Sequence, residues 1–250
     1  MENLAYIILP VVLVLVAFRT KQDLAEYEDF KKLKSTKARQ AKYKEWVLWS
    51  FGLFGFGSFL SLLLLGKLSL VTQPLAEFTN ILPKSTSAVS VSSGDSAGFI
   101  AGVLTSAVTA GLLLYFISKK GKSKKKDFVI GDIEAMLPKN GSERGWAALL
   151  ALNAGFSEEL FFRLLLPVLF FIVFGDPKLA IGLAVLTFGF VHWYQGRIGV
   201  IFTTIFGAIM MYAYLKTGSI LVIMVLHATV DLNTLVLQPA LRGLFRSRSE

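Results

Sequence analysis

Two histidines make up the whole imidazole complement of this 250-residue chain, and both lie in apolar stretches beside other polar groups. Glu158, Glu159 and Arg163 form one constellation, Phe188 and His192 a second, and His227 and Asp231 a third. A glutamate and a histidine together can polarise a water molecule as general base. A second histidine can then donate a hydrogen bond to the oxyanion of a tetrahedral intermediate. Two histidines and a carboxylate (His192, His227 and Glu158) could instead hold a zinc ion whose bound water attacks. Either scheme hydrolyses peptide bonds. The sequence has no H-E-x-x-H helix and no cysteine, and its G-x-S-x-G string, Gly94-Asp95-Ser96-Ala97-Gly98, sits in a serine-rich stretch with no strand-to-helix pattern around it to make a nucleophile elbow. Activated water is therefore favoured over a covalent nucleophile, with the metal left open.

Helical spacing divides the labour within the first constellation. Glu159 and Arg163 stand at i,i+4 and can form an ion pair on one face. Glu158 lies about 100° round the helix from Glu159, which leaves its carboxylate free for proton transfer. A structural reading competes, in which Ser157 caps a helix and the two acids favour its first turn. His227 and Asp231 share a face of their own helix. A lone membrane histidine is commonly a hydrogen-bonded packing residue. A buried ion network can also exist without chemistry. Three such groupings in one chain weigh toward function.

Positioning these groups falls to apolar helices. The chain is 54% hydrophobic, with a mean hydropathy of +0.61, and several runs reach the ~20 residues that cross a hydrocarbon core. Ionisable side chains at that depth cost roughly 2.5–3.5 kcal/mol each on insertion scales and mark functional sites. The pattern predicts an all-α polytopic membrane bundle with about seven spans, at 3–18, 46–66, 98–118, 146–174, 179–195, 197–215 and 219–237. Alternation puts 21 of the 26 Lys and Arg on one side. That side is cytoplasmic, so the N-terminus is outside and the C-terminus inside. No basic residue precedes the first apolar run and no small-residue cleavage pattern follows it, which favours a retained span over a signal peptide.

Between the spans, 19–45 reads as a surface helix, with Glu28 and Lys32 at i,i+4. The serine-rich stretch 84–98 reads as an external loop and the basic run 119–126 as a solvated cytoplasmic loop. Gly52, Gly55 and Gly57, with Gly98 and Gly102, suit close helix packing in lipid. The span 146–174 would measure ~43 Å as one straight helix. It predicts a break near Asn153 to Gly155 and a second kink at Pro167.

In order and placement, the three constellations resemble the motifs of the CPBP family. This is the group of CAAX proteases and bacteriocin-processing enzymes, also called Abi, that includes the type II prenyl-protein endopeptidases. The resemblance covers 146–237, including Phe161-Phe162-Arg163 and the stretch from Tyr214 to Ser219. It implies an intramembrane protease whose cavity opens toward the cytoplasm. Glu158 matches the catalytic glutamate, His192 its partner in activating water, and His227 with Asp231 the pair that stabilises the oxyanion. Glu159, Arg163 and Phe188 are implied as supports. The best-described prenyl-protein members carry Asn where this chain has Asp231. An ionised aspartate cannot donate a hydrogen bond, so Asp231 must be protonated, orient His227, or bind a metal.

The resulting division is 1–145, three N-terminal spans with basic cytoplasmic loops; 146–237, the catalytic helical core; and 238–250, a basic tail. The expected activity is endoproteolysis of membrane-associated peptides or proteins, in the plasma membrane, with no cofactor favoured and zinc as the alternative. The expected partners are a peptide substrate and the lipid bilayer; the charge of +9 follows from topology and does not call for nucleic acid. Two rivals stand beside this reading. One is a non-proteolytic partner protein on the same scaffold, as in bacteriocin immunity or cell-wall enzyme control. The other is a transporter, which lacks evident halves with corresponding broken helices. The polar groups are expected to converge in the cytoplasmic half of the membrane, with Trp193 and Tyr194 at the interface.

Overall fold

Every apolar stretch that falls within the described residues folds as helix, and no strand occurs among them. The computed structural model describes residues 2–81 and 131–240. The span expected at 98–118, with Gly98 and Gly102, lies outside the described residues, as do the basic run 119–126, the whole serine-rich stretch 84–98 and the tail from 241. The helices are α1 (Ala5–Lys32), α2 (Thr36–Ser50), α3 (Gly57–Leu64), α4 (Ala76–Thr79), α5 (Gly141–Glu159), α6 (Leu166–Phe174), α7 (Pro177–Val191), α8 (Gly196–Thr217) and α9 (Ile220–Leu232). A π-helical turn at Phe51–Phe56 joins α2 to α3, and another at Leu160–Leu165 joins α5 to α6.

Four rods are long and apolar enough to cross a membrane: Glu2–Lys32, Thr36–Leu64, Trp193–Thr217 and Ile220–Ala240. Their outer faces carry large apolar side chains, with Ile7, Val14, Ile198 and Leu221 each more than 60% exposed. Water would disfavour such a continuous apolar face, whereas hydrocarbon accommodates it. The chain is an integral membrane protein.

The N-terminal helices differ from the sequence expectation. The segment 19–45 is not a separate surface helix. Instead α1 runs on to Lys32, the chain turns at Leu33 with an extended ψ of 122°, and α2 begins at Thr36. No Gly or Pro interrupts α1 after Pro10, and Arg19–Asp23 at i,i+4 supports its extension. Lys32 pairs with Asp29 at 2.9 Å and Glu28 with Lys31 at 2.7 Å, in place of the expected Glu28–Lys32 pair.

The rod that carries the first constellation is longer than expected and breaks elsewhere. Asn140 caps it, its side chain accepting from the Glu143 N–H at 3.0 Å, so Ser157 is not a cap. Ser157 lies in mid-helix and donates to Asn153 at 3.0 Å. The backbone is continuous through Asn153 and Gly155. The irregularity is the π turn at Leu160–Leu165, just before Pro167. Proline has no N–H to donate and its ring crowds the carbonyl four residues back. The wider π turn absorbs both demands.

Packing then brings the constellations together. Helix α5 lies along α9 and α2, while α6 packs on α7 and α7 on α8. At Gly155 a Cβ would stand 2.7 Å from the Ala228 Cβ and 2.8 Å from the Met224 carbonyl. Only glycine allows α5 to sit this close to α9. Glu159 follows one turn later, beside His227.

Candidate active site

Glu159 and Arg163 are fully buried and form the expected pair, Nε to Oε2, at 3.2 Å. The other Glu159 oxygen, Oε1, lies 2.7 Å from His227 Nδ1. A carboxylate accepts, so His227 donates from Nδ1 and presents Nε2 to the opposite side. Asp231 Oδ2 stands 3.6 Å from that Nε2. Glu159 thus holds the His227 ring, so of the three roles open to Asp231 the orienting one falls mainly to Glu159. The distances decide it: 2.7 Å is a hydrogen bond and 3.6 Å is not.

His192 forms the C-terminal cap of α7, where the helix gives way to a 3₁₀ turn at Trp193–Gln195. The span expected at 179–195 is accordingly the shorter helix Pro177–Val191. Its Nδ1 lies 2.8 Å from the Phe188 carbonyl. A carbonyl only accepts, so the His192 proton sits on Nδ1 and the lone pair on Nε2. That lone pair faces Glu158, with Nε2 to Oε2 at 4.0 Å. A water at hydrogen-bond distance, about 2.8 Å from each, fits between two groups so separated.

Phe188 serves through both backbone and ring. Its carbonyl fixes His192, and its ring lies under the Arg163 guanidinium at 4.5 Å. Among the described residues no group accepts a well-aligned hydrogen bond from Arg163 Nη1 or Nη2. The aromatic face is therefore the guanidinium's other favourable contact besides Glu159. His227 is 6.2 Å from the same ring, so one phenyl group is common to all three constellations.

Glu158, His192, His227 and Asp231 line one cavity of about 450 Å³, within the range of ligand sites. Its opposite wall comes from helices that the sequence did not associate with the site. Arg19, Asp23 and Tyr27 of α1 and Trp46 and Trp49 of α2 face the catalytic groups across it. Arg19 is nearly buried and paired with Asp23 and Glu26, and Trp46 Nε1 donates to Glu26 at 2.9 Å. The sequence signal was present: charged residues in a helix continuous with an apolar span. Tyr194 also lines the cavity, against the expectation that it sits with Trp193 at the interface. Trp193 is 47% exposed and keeps the expected setting.

The zinc alternative requires convergent ligands. His192 Nε2, His227 Nε2 and Glu158 are suitable donors by chemistry. As they stand, no three His, Asp or Glu groups among the described residues are arranged to hold a metal ion.

Residues 141–233, more than a third of the chain, match the family model described as type II CAAX prenyl endopeptidase Rce1-like. No curated protein and no solved structure matches the chain. The matched stretch begins at the first residue of α5, ends two residues after Asp231, and holds all three constellations together with the Gly155 contact. On its ordered motifs and on this match, residues 141–233 are similar to the CAAX-type proteases of the CPBP family.

Proposed function

We propose that this protein is an intramembrane endopeptidase that hydrolyses peptide bonds of membrane-associated substrates with water activated by Glu158 and His192. The observation that carries the reading is the opposed pair of Glu158 and the His192 lone pair, 4.0 Å apart on the wall of one cavity. Water held there gives a proton to Glu158 as its oxygen adds to the scissile carbonyl carbon. The carbonyl π pair moves onto oxygen, and His227, protonated on both nitrogens between the Glu159 and Asp231 carboxylates, stabilises that charge by donating from Nε2. Collapse of the intermediate breaks the C–N bond, and Glu158 returns the proton to the leaving amine. Glu159 and Arg163 keep His227 oriented, and Asp231 adds a negative charge beside its Nε2.

In this reading the chain crosses the plasma membrane seven times, with its N-terminus outside and the cavity open to the cytoplasm. The bias of Lys and Arg supports that orientation. The substrate enters from the bilayer or the cytoplasm and no nucleic acid takes part.

The test is cleavage by purified full-length protein in detergent, using a prenylated CAAX-type peptide and its unprenylated counterpart. Wild type is expected to cleave at least one peptide, and Glu158→Gln neither. Chelator is expected to leave turnover unchanged. Stoichiometric zinc in active protein, with activity lost on chelation and restored by zinc, would replace this scheme with a metal-based one.

A further inference from the structure

His227 Nε2 is one donor for a developing oxyanion, and Asp231 beside it offers acceptor oxygens when ionised. Oxyanion sites typically use more than one donor. Several donor groups lining the cavity are already committed: Arg19 to Asp23 and Glu26, Trp46 to Glu26, Gln195 to Tyr194, and Thr203 and Thr234 to backbone carbonyls of their own helices.

Tyr194 differs. It follows His192 by two residues in the 3₁₀ turn, and its ring lies 6.0 Å from the His192 ring at 33°. The Tyr27 ring packs edge-on against it at 5.4 Å. Gln195 Nε2 donates to its hydroxyl oxygen at 3.1 Å, which fixes the oxygen while leaving its proton unused. Among the described residues no group accepts that proton. Tyr194 lines the same cavity as Glu158, His192, His227 and Asp231.

We infer that the Tyr194 hydroxyl is a second catalytic hydrogen-bond donor, which binds the scissile carbonyl oxygen together with His227 Nε2. The inference rests on the proteolytic reading of the site and adds a residue outside its three motifs. The carbonyl oxygen accepts from Tyr194 in the ground state and more strongly as it gains charge. Tyr194 keeps its proton and acts as a hydrogen-bond donor alone, so the proton balance of the hydrolysis is unchanged. Loss of one such donor costs about 10²–10³ in kcat.

The experiment compares wild type, Tyr194→Phe and Gln195→Glu on whichever peptide the wild type cleaves. Thermal unfolding of each is measured in the same detergent. In Gln195→Glu the neighbour becomes an acceptor and captures the phenolic proton. Both variants are expected to lose about a hundredfold in kcat, with KM within threefold and unfolding temperature unchanged. A Tyr194→Phe enzyme with kcat within threefold of wild type overturns the inference. So does a loss that tracks a lower unfolding temperature and is not reproduced by Gln195→Glu. The proteolytic reading fails separately, if the wild type itself cleaves no peptide.

Discussion

Two buried arginine–glutamate pairs occur in the described structure, and they differ in how completely they are satisfied. Arg39 and Glu143 meet at 3.0 Å with side chains 1% and 0% exposed. Arg39 also donates to the carbonyls of Ala135 and Leu137 at 3.0 Å each. Glu143 accepts the Lys139 N–H at 3.0 Å as well. Tyr43 closes the set by donating to the Met136 carbonyl at 2.6 Å. This cluster clamps α2 to the segment that leads into α5. The Glu159–Arg163 pair is equally buried, yet all three of its guanidinium nitrogens lack a well-aligned hydrogen-bond acceptor among the described residues, and its carboxylate reaches out to a histidine on a cavity wall. A saturated pair fixes a joint, whereas an unsaturated one beside a cavity keeps polar capacity for something else.

Substitutions at the open cluster should therefore act on turnover, and those at the closed one on stability. The largest effect is expected at Glu158, whose neighbours leave it free. Glu158→Gln should lower turnover by about a thousandfold or more, with thermal unfolding unchanged. A pure Glu158→Gln enzyme with wild-type turnover would sink the mechanism.

Next comes the clamp. Arg39→Met leaves Glu143 buried without its partner and should cost about 3–5 kcal/mol. Adding Glu143→Leu should recover most of that loss, because an apolar pair needs no compensation. The matching double variant at the other pair, Glu159→Leu with Arg163→Met, should keep its fold but lose cleavage. If both doubles behave alike, in unfolding and in cleavage, the contrast between the pairs is wrong.

A smaller effect is expected from widening the open cluster. Gly155→Ala forces α5 away from Ala228 and the Met224 carbonyl, and with it Glu159 from His227. Misplacing catalytic groups by about 1 Å costs up to a hundredfold, so a roughly tenfold to hundredfold fall in kcat is expected. Unaltered kinetics would show that the Glu159–His227 contact does not set the rate.

The smallest effect concerns acid. Glu143 lies outside the span read at 146–174. Burial opposes its ionisation, but the Lys139 N–H and the Arg39 guanidinium outweigh this and hold its carboxyl below the usual carboxylate range. A depressed folded pKa gives stability that is present above the unfolded value and lost as pH falls through the folded one. Wild type should therefore lose stability below a pH of about 4.5, the ordinary glutamate value. The Arg39→Met/Glu143→Leu protein should lose less over the same window. Equal acid sensitivity of the two proteins would remove the clamp as the cause.

The sequence determined much of this protein. Ionisable residues inside apolar helices are costly enough to stand out, so Glu158, Glu159, Arg163, His192, His227 and Asp231 were legible as a set, and their order carried the family resemblance. The i,i+4 spacing also determined the Glu159–Arg163 pair, because helical geometry alone brings those side chains together. Other features depended on contacts distant in sequence. Glu159 and His227 are 68 positions apart, and only the close approach of α5 and α9 at Gly155 makes them partners. Pro167 signalled a kink, but whether a break, a bend or a π turn absorbed it depended on the neighbouring helices. The cavity wall from α1 and α2 was equally hidden, because helical periodicity gives a face and not what that face opposes. Tertiary packing decided those matters, by setting which polar groups share one enclosed space.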